Sequence, residues 1–495
     1  MLYNNIVINR LKLKVLILCL AGVIIGLAVS WGVFDAVPHL EDEHAYLFQA
    51  KLFACGKITR EVLPSAPSFS LPFVIEYNGK QFSKYTPGFS LILALGALVR
   101  LPWIINPLLA GVGIFAVFLL TRELFDEKTG LLAAALGVIS PMYMLLAGSF
   151  LSHTLTLVLL TFFTWSFFRL HRVEPEARMR YAILCGLLMG FTILTRPWTG
   201  AAVGLPFVVY ALVRFFQSPK PLFKPYLMAL LLAVLIAGLI PLYNFITTGD
   251  PLLNTYTLIW EYDRVGIGPE YGPSGYNLEK LWINFKGDFQ DLQLFNLGWP
   301  VIGGISVSAI FILLGIILPK RQKLEACLLL PAVTLIAAYM VYWASSGGMF
   351  GPRYYAEALP FLWILAARGV LKFAQYPINK WIIRVALLVF TMWNIIMVSK
   401  PAFDNARDLY NINRDYVRLV ERADIHHAIV FVTSNYWTDY ANLSWNNPAN
   451  LEKADIIYAR DIGSNSNGVI IEAFPGRDIY HLNLETPPYL TPANP

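Results

Sequence analysis

Apolar runs of about twenty residues recur along this chain, and they restrict its fold more than any other feature. A helix needs about 20 mostly apolar residues to cross the roughly 30 Å hydrocarbon core of a bilayer. Such runs fall at about Val15–Phe34, Pro102–Leu120, Gly130–Ala147, Thr154–Phe168, Tyr181–Leu194, Gly200–Val213, Tyr226–Ile246, Val301–Leu318, Ala326–Ala344, Ala358–Leu371 and Trp381–Val398. The chain is 57% hydrophobic and 14% charged, where an ordinary soluble domain has about 25% charged residues. The expected fold class is an all-α polytopic membrane protein with about 11 transmembrane helices in the lipid bilayer.

Charge sets the expected topology. Arg10, Lys12 and Lys14 precede the first run. Ala28-Val29-Ser30 resembles a cleavage site, but the run exceeds the about 7–15 residues of a signal core. A retained span with a cytoplasmic N-terminus is expected. On alternate turns, Arg122 and Lys128, the Arg169–Arg180 group, Arg214, Lys220 and Lys224, Lys320–Lys323, and Lys372, Lys380 and Arg384 then fall inside. Short outside loops hold little more than Arg196 and Arg353, as the positive-inside rule requires. The net charge of +6 is thus a topology signal, and no basic, aromatic-interleaved segment points to nucleic acid. The expected place is the plasma (inner) membrane, with the polar regions outside.

The chain divides into a membrane domain, 1–398, and a tail, 399–495. The first outside loop, 35–101, should carry two interfacial helices, Glu43–Cys55 and Gly88–Val99, the second too short to cross. A second large loop spans 247–299. In the tail, Asn413–Arg422 reads as helix. His427–Thr433, Asp455–Ala459 and Gly468–Ala473 read as strands, giving a small α/β extracytoplasmic domain. Cys19, Cys185 and Cys327 fall in spans or at their ends, and only Cys55 is outside, so no outside disulfide can form within the chain.

Chemistry concentrates at the outer membrane edge. His39-Leu-Glu-Asp-Glu-His44 packs three carboxylates and two histidines just after the first run. His153, Arg196 and Arg353 gather at the same level. Ionisable groups beside hydrocarbon are costly and ask for a reason. Plain readings exist too: an acidic helix start, an interfacial histidine, arginines reaching for the surface.

The motifs Asp42-Glu43-His-Ala-Tyr46, Tyr85-Thr-Pro-Gly-Phe89, Leu151-Ser-His153, Leu194-Thr-Arg-Pro197 and Gly351-Pro-Arg-Tyr354 occur in this order. The set resembles GT-C type glycosyltransferases of the branch with protein O-mannosyltransferases and the aminoarabinose transferase of lipid A, over about Val15 to Leu371. That resemblance implies a GT-C fold and an inverting glycosyltransferase. The enzyme would move a sugar from a polyprenyl-phosphate donor to an extracytoplasmic acceptor: protein, lipid or glycan. It implies Asp42 as general base, with Glu43 as fallback. Arg196 would meet the lipid phosphate, where the aminoarabinose transferases have a lysine in a Thr-Lys-Gly context, and Arg353 would meet it from another side. Tyr46, Tyr85, His153, Tyr354 and Glu357 are candidate substrate contacts.

The sequence departs from that family at two metal-site positions, one of them a second-loop Asp whose place lies near His153 here. Aminoarabinose transferases place a metal-binding Glu just before the Pro-Pro of the second interfacial helix, and here Phe82-Ser83-Lys84-Tyr85 has no acid. A divalent metal on Asp42, His44 and His153 is one option, and weak or absent metal dependence is the expectation. The rival functional class is a transporter or flippase of a lipid-linked sugar, whose ionisable groups usually lie near the midplane, often in inverted repeats. A third is a membrane scaffold displaying the tail.

Overall fold

The computed structural model describes residues 2–217, 219–318, 323–345, 350–376, 380–407, 409–434, 436–484 and 488–493. All eleven apolar runs are largely helical. Among the described residues, seven helices are long and apolar enough to cross a membrane, and an eighth span forms if the bent pair Glu127–Val138 and Pro141–Gly148 counts as one. That pair turns by 62° where Ser140 precedes Pro141, because proline disfavours helical backbone in the residue before it and gives no N–H. Val307–Ile317, Leu324–Met340 and Gly88–Leu98 are shorter apolar helices. Along Leu222–Thr248, Leu230, Leu231, Val234, Leu235 and Phe245 are all more than half exposed. So large an apolar surface suits acyl chains rather than water, and the chain is an integral membrane protein.

The first large polar loop, residues 35–101, is more built than its sequence suggested. Asp35 and Ala36, both at positive φ, turn the chain off the helix Leu2–Gly32 and lead it into the helix Glu41–Ala54. An unanticipated hairpin follows. Val74–Tyr77 pairs antiparallel with Lys80–Ser83 across Asn78-Gly79, both at positive φ, which a tight two-residue turn needs. The helix Gly88–Leu98 then packs against the Asp42 helix, and Phe89 and Leu93 share a buried cluster with Tyr46 and Leu47. Its other face leaves Leu95 and Leu98 exposed.

Helical backbone runs unbroken from Lys380 to Arg407, through the expected 398/399 boundary. The tail that follows is α/β, as expected. Its sheet has the order Ile456–Asp461, Ala428–Thr433, Asp478–Asn483, Tyr489–Pro492, with the first three strands parallel. Ala428–Val432 is wholly buried, and a central parallel strand reads as a continuous apolar run for that reason. One expectation fails. Gly468–Ala473 lies in the helix Ser464–Ala473 and is not a strand. Its buried positions are Asn467 and Ile470, while Val469 and Ile471 stay exposed, a spacing of three rather than two. Phe69 of the first loop enters the tail core beside Ile429, Phe431 and Ile470, which fastens the tail to that loop.

Candidate active site

Three consecutive residues of the Glu41–Ala54 helix go to three different places. Asp42 faces a cavity of ≈ 660 Å³. Its Oδ1 accepts the Tyr85 hydroxyl hydrogen bond at 2.6 Å, and its Oδ2 lies 3.4 Å from Arg353 Nη2. Glu43 is buried away from the cavity. Its Oε2 accepts from the backbone N–H of His39 at 2.6 Å and of Leu40 at 2.9 Å, and its Oε1 from Phe150 N–H at 2.7 Å. The bond to Leu40 is the carboxylate half of a capping box. His44 points toward the tail, edge-on to Trp437 at 6.2 Å, and burial pulls its pKa down to about 3.

The other candidates separate in the same way. Arg196, Arg353, Tyr46, Tyr85 and Tyr354 line the cavity with Asp42. Tyr46 stacks on Tyr85 at 4.5 Å, and Tyr354 on Tyr339 at 4.9 Å. His153 and Glu357 are buried behind that wall, joined by a 3.2 Å contact from Nδ1 to Oε1. Arg196 occupies a short break between the helices Pro175–Thr195 and Pro197–Gln217. The Gly88 helix lies so close to this break that a Cβ on Gly88 would meet Thr195 N at 2.7 Å.

Lys84 is a cavity residue that the sequence reading used only as a missing acid. It is 3% exposed and lines the same cavity. Its ammonium lies 3.5 Å from the Phe73 ring centre and 5.1 Å from those of Tyr256 and Trp260. Asp263 Oδ2 is 3.3 Å away. Burial lowers the Lys84 pKa, and the Asp263 carboxylate opposes the shift. Asp263 also accepts from the Tyr342 hydroxyl at 2.7 Å and Trp343 Nε1 at 3.2 Å. Its near neighbours Phe82 and Tyr85 are aromatic, but Tyr256, Trp260 and Asp263 come to its ammonium from a distant part of the chain.

These donors do not fit a metal. Asp42 is engaged by Tyr85 and Arg353, Asp263 by a lysine and two ring donors, and His44 faces the tail, apart from the cavity. Among the described residues, no three His, Cys, Asp or Glu side chains come together as a metal site would need. Asp42, His44 and His153, the metal option read from the sequence, are not brought together: of the three only Asp42 lines the cavity. What the arrangement can do is accept a proton at Asp42 and hold an anion between cations.

Beside the cavity lies an almost wholly apolar groove of ≈ 610 Å³ between the helices of residues 153–237. Ala201 lines both.

Comparisons with known proteins agree with this architecture. The family model described as dolichyl-phosphate-mannose-protein mannosyltransferase matches residues 86–240. No curated protein matches by sequence. Among solved structures, ArnT from Cupriavidus metallidurans bound to undecaprenyl phosphate is 15% identical with a TM-score of 0.58, covering 93% of this chain and 92% of that one. The same protein in the apo state gives 15% and 0.56, with the same coverage. The Archaeoglobus fulgidus oligosaccharyltransferase tethered to an acceptor peptide gives 13% and 0.52, covering 94% of this chain and 68% of that one. The resemblance read from the motifs is borne out: this chain has the GT-C fold of ArnT over nearly its whole length, and it carries a segment matching the mannosyltransferase family.

Proposed function

We propose that the chain is an inverting glycosyltransferase that moves a sugar from a polyprenyl-phosphate donor to an acceptor outside the membrane. One observation carries this reading. A single cavity holds Asp42, bonded to Tyr85 and beside Arg353, together with Arg196, Lys84 and two further carboxylates, Glu41 and Asp263, and it meets an apolar groove at Ala201. A lipid phosphate suits the first part and an isoprenoid chain the second. ArnT, whose fold this chain shares, binds undecaprenyl phosphate.

Asp42 takes the proton of the acceptor hydroxyl as its oxygen attacks the anomeric carbon. The bond from that carbon to the phosphate oxygen breaks, and its electron pair leaves with the phosphate. Arginine and lysine stabilise the growing charge, arginine through two oxygens at once. Tyr85 and Arg353 hold the Asp42 carboxylate in place. One displacement with one base inverts the anomeric centre. The basic residues of the alternate loops support a cytoplasmic side opposite the carboxylate cluster, and in this reading the chemistry takes place on the extracytoplasmic face of the plasma membrane, with the tail on the same side.

Asp42→Asn tests the reading. Asparagine keeps an acceptor for Tyr85 but takes no proton near neutral pH. Turnover by donor-loaded, purified protein should fall about 10²–10⁴-fold, with donor still bound, and Glu41→Gln should be far milder. Near-normal turnover of Asp42→Asn would remove the base, and lipid movement without transfer would favour a flippase.

A further inference from the structure

We infer that His153 and Glu357 are positioning residues that fix Arg196 for the lipid phosphate and do not touch substrate themselves. The inference rests on the phosphate reading of Arg196 and goes one layer behind it.

Hydrogen placement follows from chemistry. A guanidinium only donates. Arg196 Nη1 lies 3.3 Å from His153 Nε2, so that ring nitrogen is the acceptor and the imidazole is neutral. Its proton then sits on Nδ1 and is donated to Glu357 Oε1 at 3.2 Å. The chain of donors runs from Arg196 through His153 to Glu357. The same Glu357 oxygen lies 3.6 Å from Arg196 Nε. Glu357 Oε2 is buried with no partner, so the charge of this carboxylate is answered by Arg196 and the His153 N–H.

Three hydroxyls complete the frame. Arg196 donates from Nη1 to Ser152 Oγ at 3.2 Å, from Nε to Thr199 Oγ1 at 3.3 Å and from Nη2 to Tyr339 at 3.0 Å. With His153, these use four of the five hydrogens a guanidinium carries. Among the described residues the fifth, on Nη2, has no protein partner, and Arg196 lines the cavity. A side chain fixed by buried partners gives its remaining donor to a ligand without a further ordering cost. Neither His153 nor Glu357 lines the cavity, and each is at most 1% exposed, so their route to the ligand is through Arg196.

The test is a binding titration of the full chain in detergent, with farnesyl phosphate as probe and phosphate-free farnesol as control. His153→Ala and Glu357→Leu should each bind farnesyl phosphate about 10-fold more weakly, the usual scale for an outer partner of a ligating group. Both should bind farnesol unchanged. Glu357→Gln keeps an acceptor for Nδ1–H and should bind farnesyl phosphate no more than about threefold worse. If Glu357→Leu does not fold, His153→Ala and Glu357→Gln carry the comparison. Parallel loss of both ligands would show a merely structural role and overturn the inference. Unchanged farnesyl phosphate binding in His153→Ala, with Arg196→Ala weakened, would overturn it alone. Unchanged binding in Arg196→Ala would remove the phosphate reading and this inference together.

Discussion

Glu43→Gln should cost stability and spare chemistry, although Glu43 adjoins the proposed base. The carboxylate accepts three backbone N–H groups: two on Oε2, from His39 and Leu40, and one on Oε1, from Phe150. Glutamine can keep its one oxygen on the pair from His39 and Leu40. Its amide NH2 then faces the Phe150 N–H, donor against donor. One charge-assisted bond is lost, about 1.5–3 kcal/mol, and one buried N–H is stranded, about 1–3 kcal/mol. The two together come to about 2.5–6 kcal/mol, and relaxation brings the cost toward the lower end. Thermal unfolding of the purified protein, read by tryptophan fluorescence, should show a clearly lower Tm. Turnover per folded molecule should fall less than about 10-fold, well short of the 10²–10⁴-fold that removing a general base costs. An unchanged Tm with turnover abolished would refute the argument and make Glu43 the base.

Three further outcomes are expected. Lys84→Met keeps the stem but removes the charge. A charge-assisted bond of about 1.5–3 kcal/mol corresponds to at least about 10-fold weaker farnesyl phosphate binding, and equal binding would take Lys84 out of the phosphate site. Turnover should survive a divalent-ion chelator, because Asp42 and Asp263 are already engaged by cations, hydroxyls and an indole N–H; abolition by chelator and rescue by one ion would reverse that conclusion. For topology, native Cys55 is exposed in the first loop, and a membrane-impermeant maleimide applied outside should label it. A cysteine at Arg180→Cys, in a Cys55→Ser background, should be spared, and the opposite pattern would invert the protein in the membrane.

Much of this architecture was legible because lipid simplifies the code. Apolar runs and the short apolar segment at Gly88 each report one physical constraint, backbone satisfaction in hydrocarbon. The strand Ala428–Thr433 was legible for a similar reason, being apolar at every buried position. Where a segment is half exposed the code weakens. Gly468-Val-Ile-Ile-Glu-Ala473 has β-branched residues that suit a strand, yet only Ile470 needs burial, and a helix meets that need. The Asn78-Gly79 turn was a local hairpin signal between Val74–Tyr77 and Lys80–Ser83, but the polarity of the whole loop obscured it. Lys84 depended on contacts far along the chain, from Tyr256, Trp260 and Asp263, and no local pattern carries those.

The acidic stretch shows the same division within one helical turn. Successive residues of a helix point about 100° apart, so Asp42, Glu43 and His44 cannot serve one purpose. Asp42 takes the cavity, between Tyr85 and Arg353. Glu43 takes the side facing the turn before the helix and the loop at Phe150, and holds both through backbone N–H groups. His44 takes the side facing Trp437 of the tail. Composition marked the cluster as chemical, and of Asp42, Glu43 and His44 only Asp42 lines the cavity. The other two explain why that carboxylate stays put: one fastens the start of its helix to the membrane helices, and the other packs the helix against the tail. Lys51, two turns further on, donates to the carbonyls of Trp445 and Asn447, on the tail side again. A carboxylate held on a short helix between the membrane helices and the tail has its place in the cavity set from both directions.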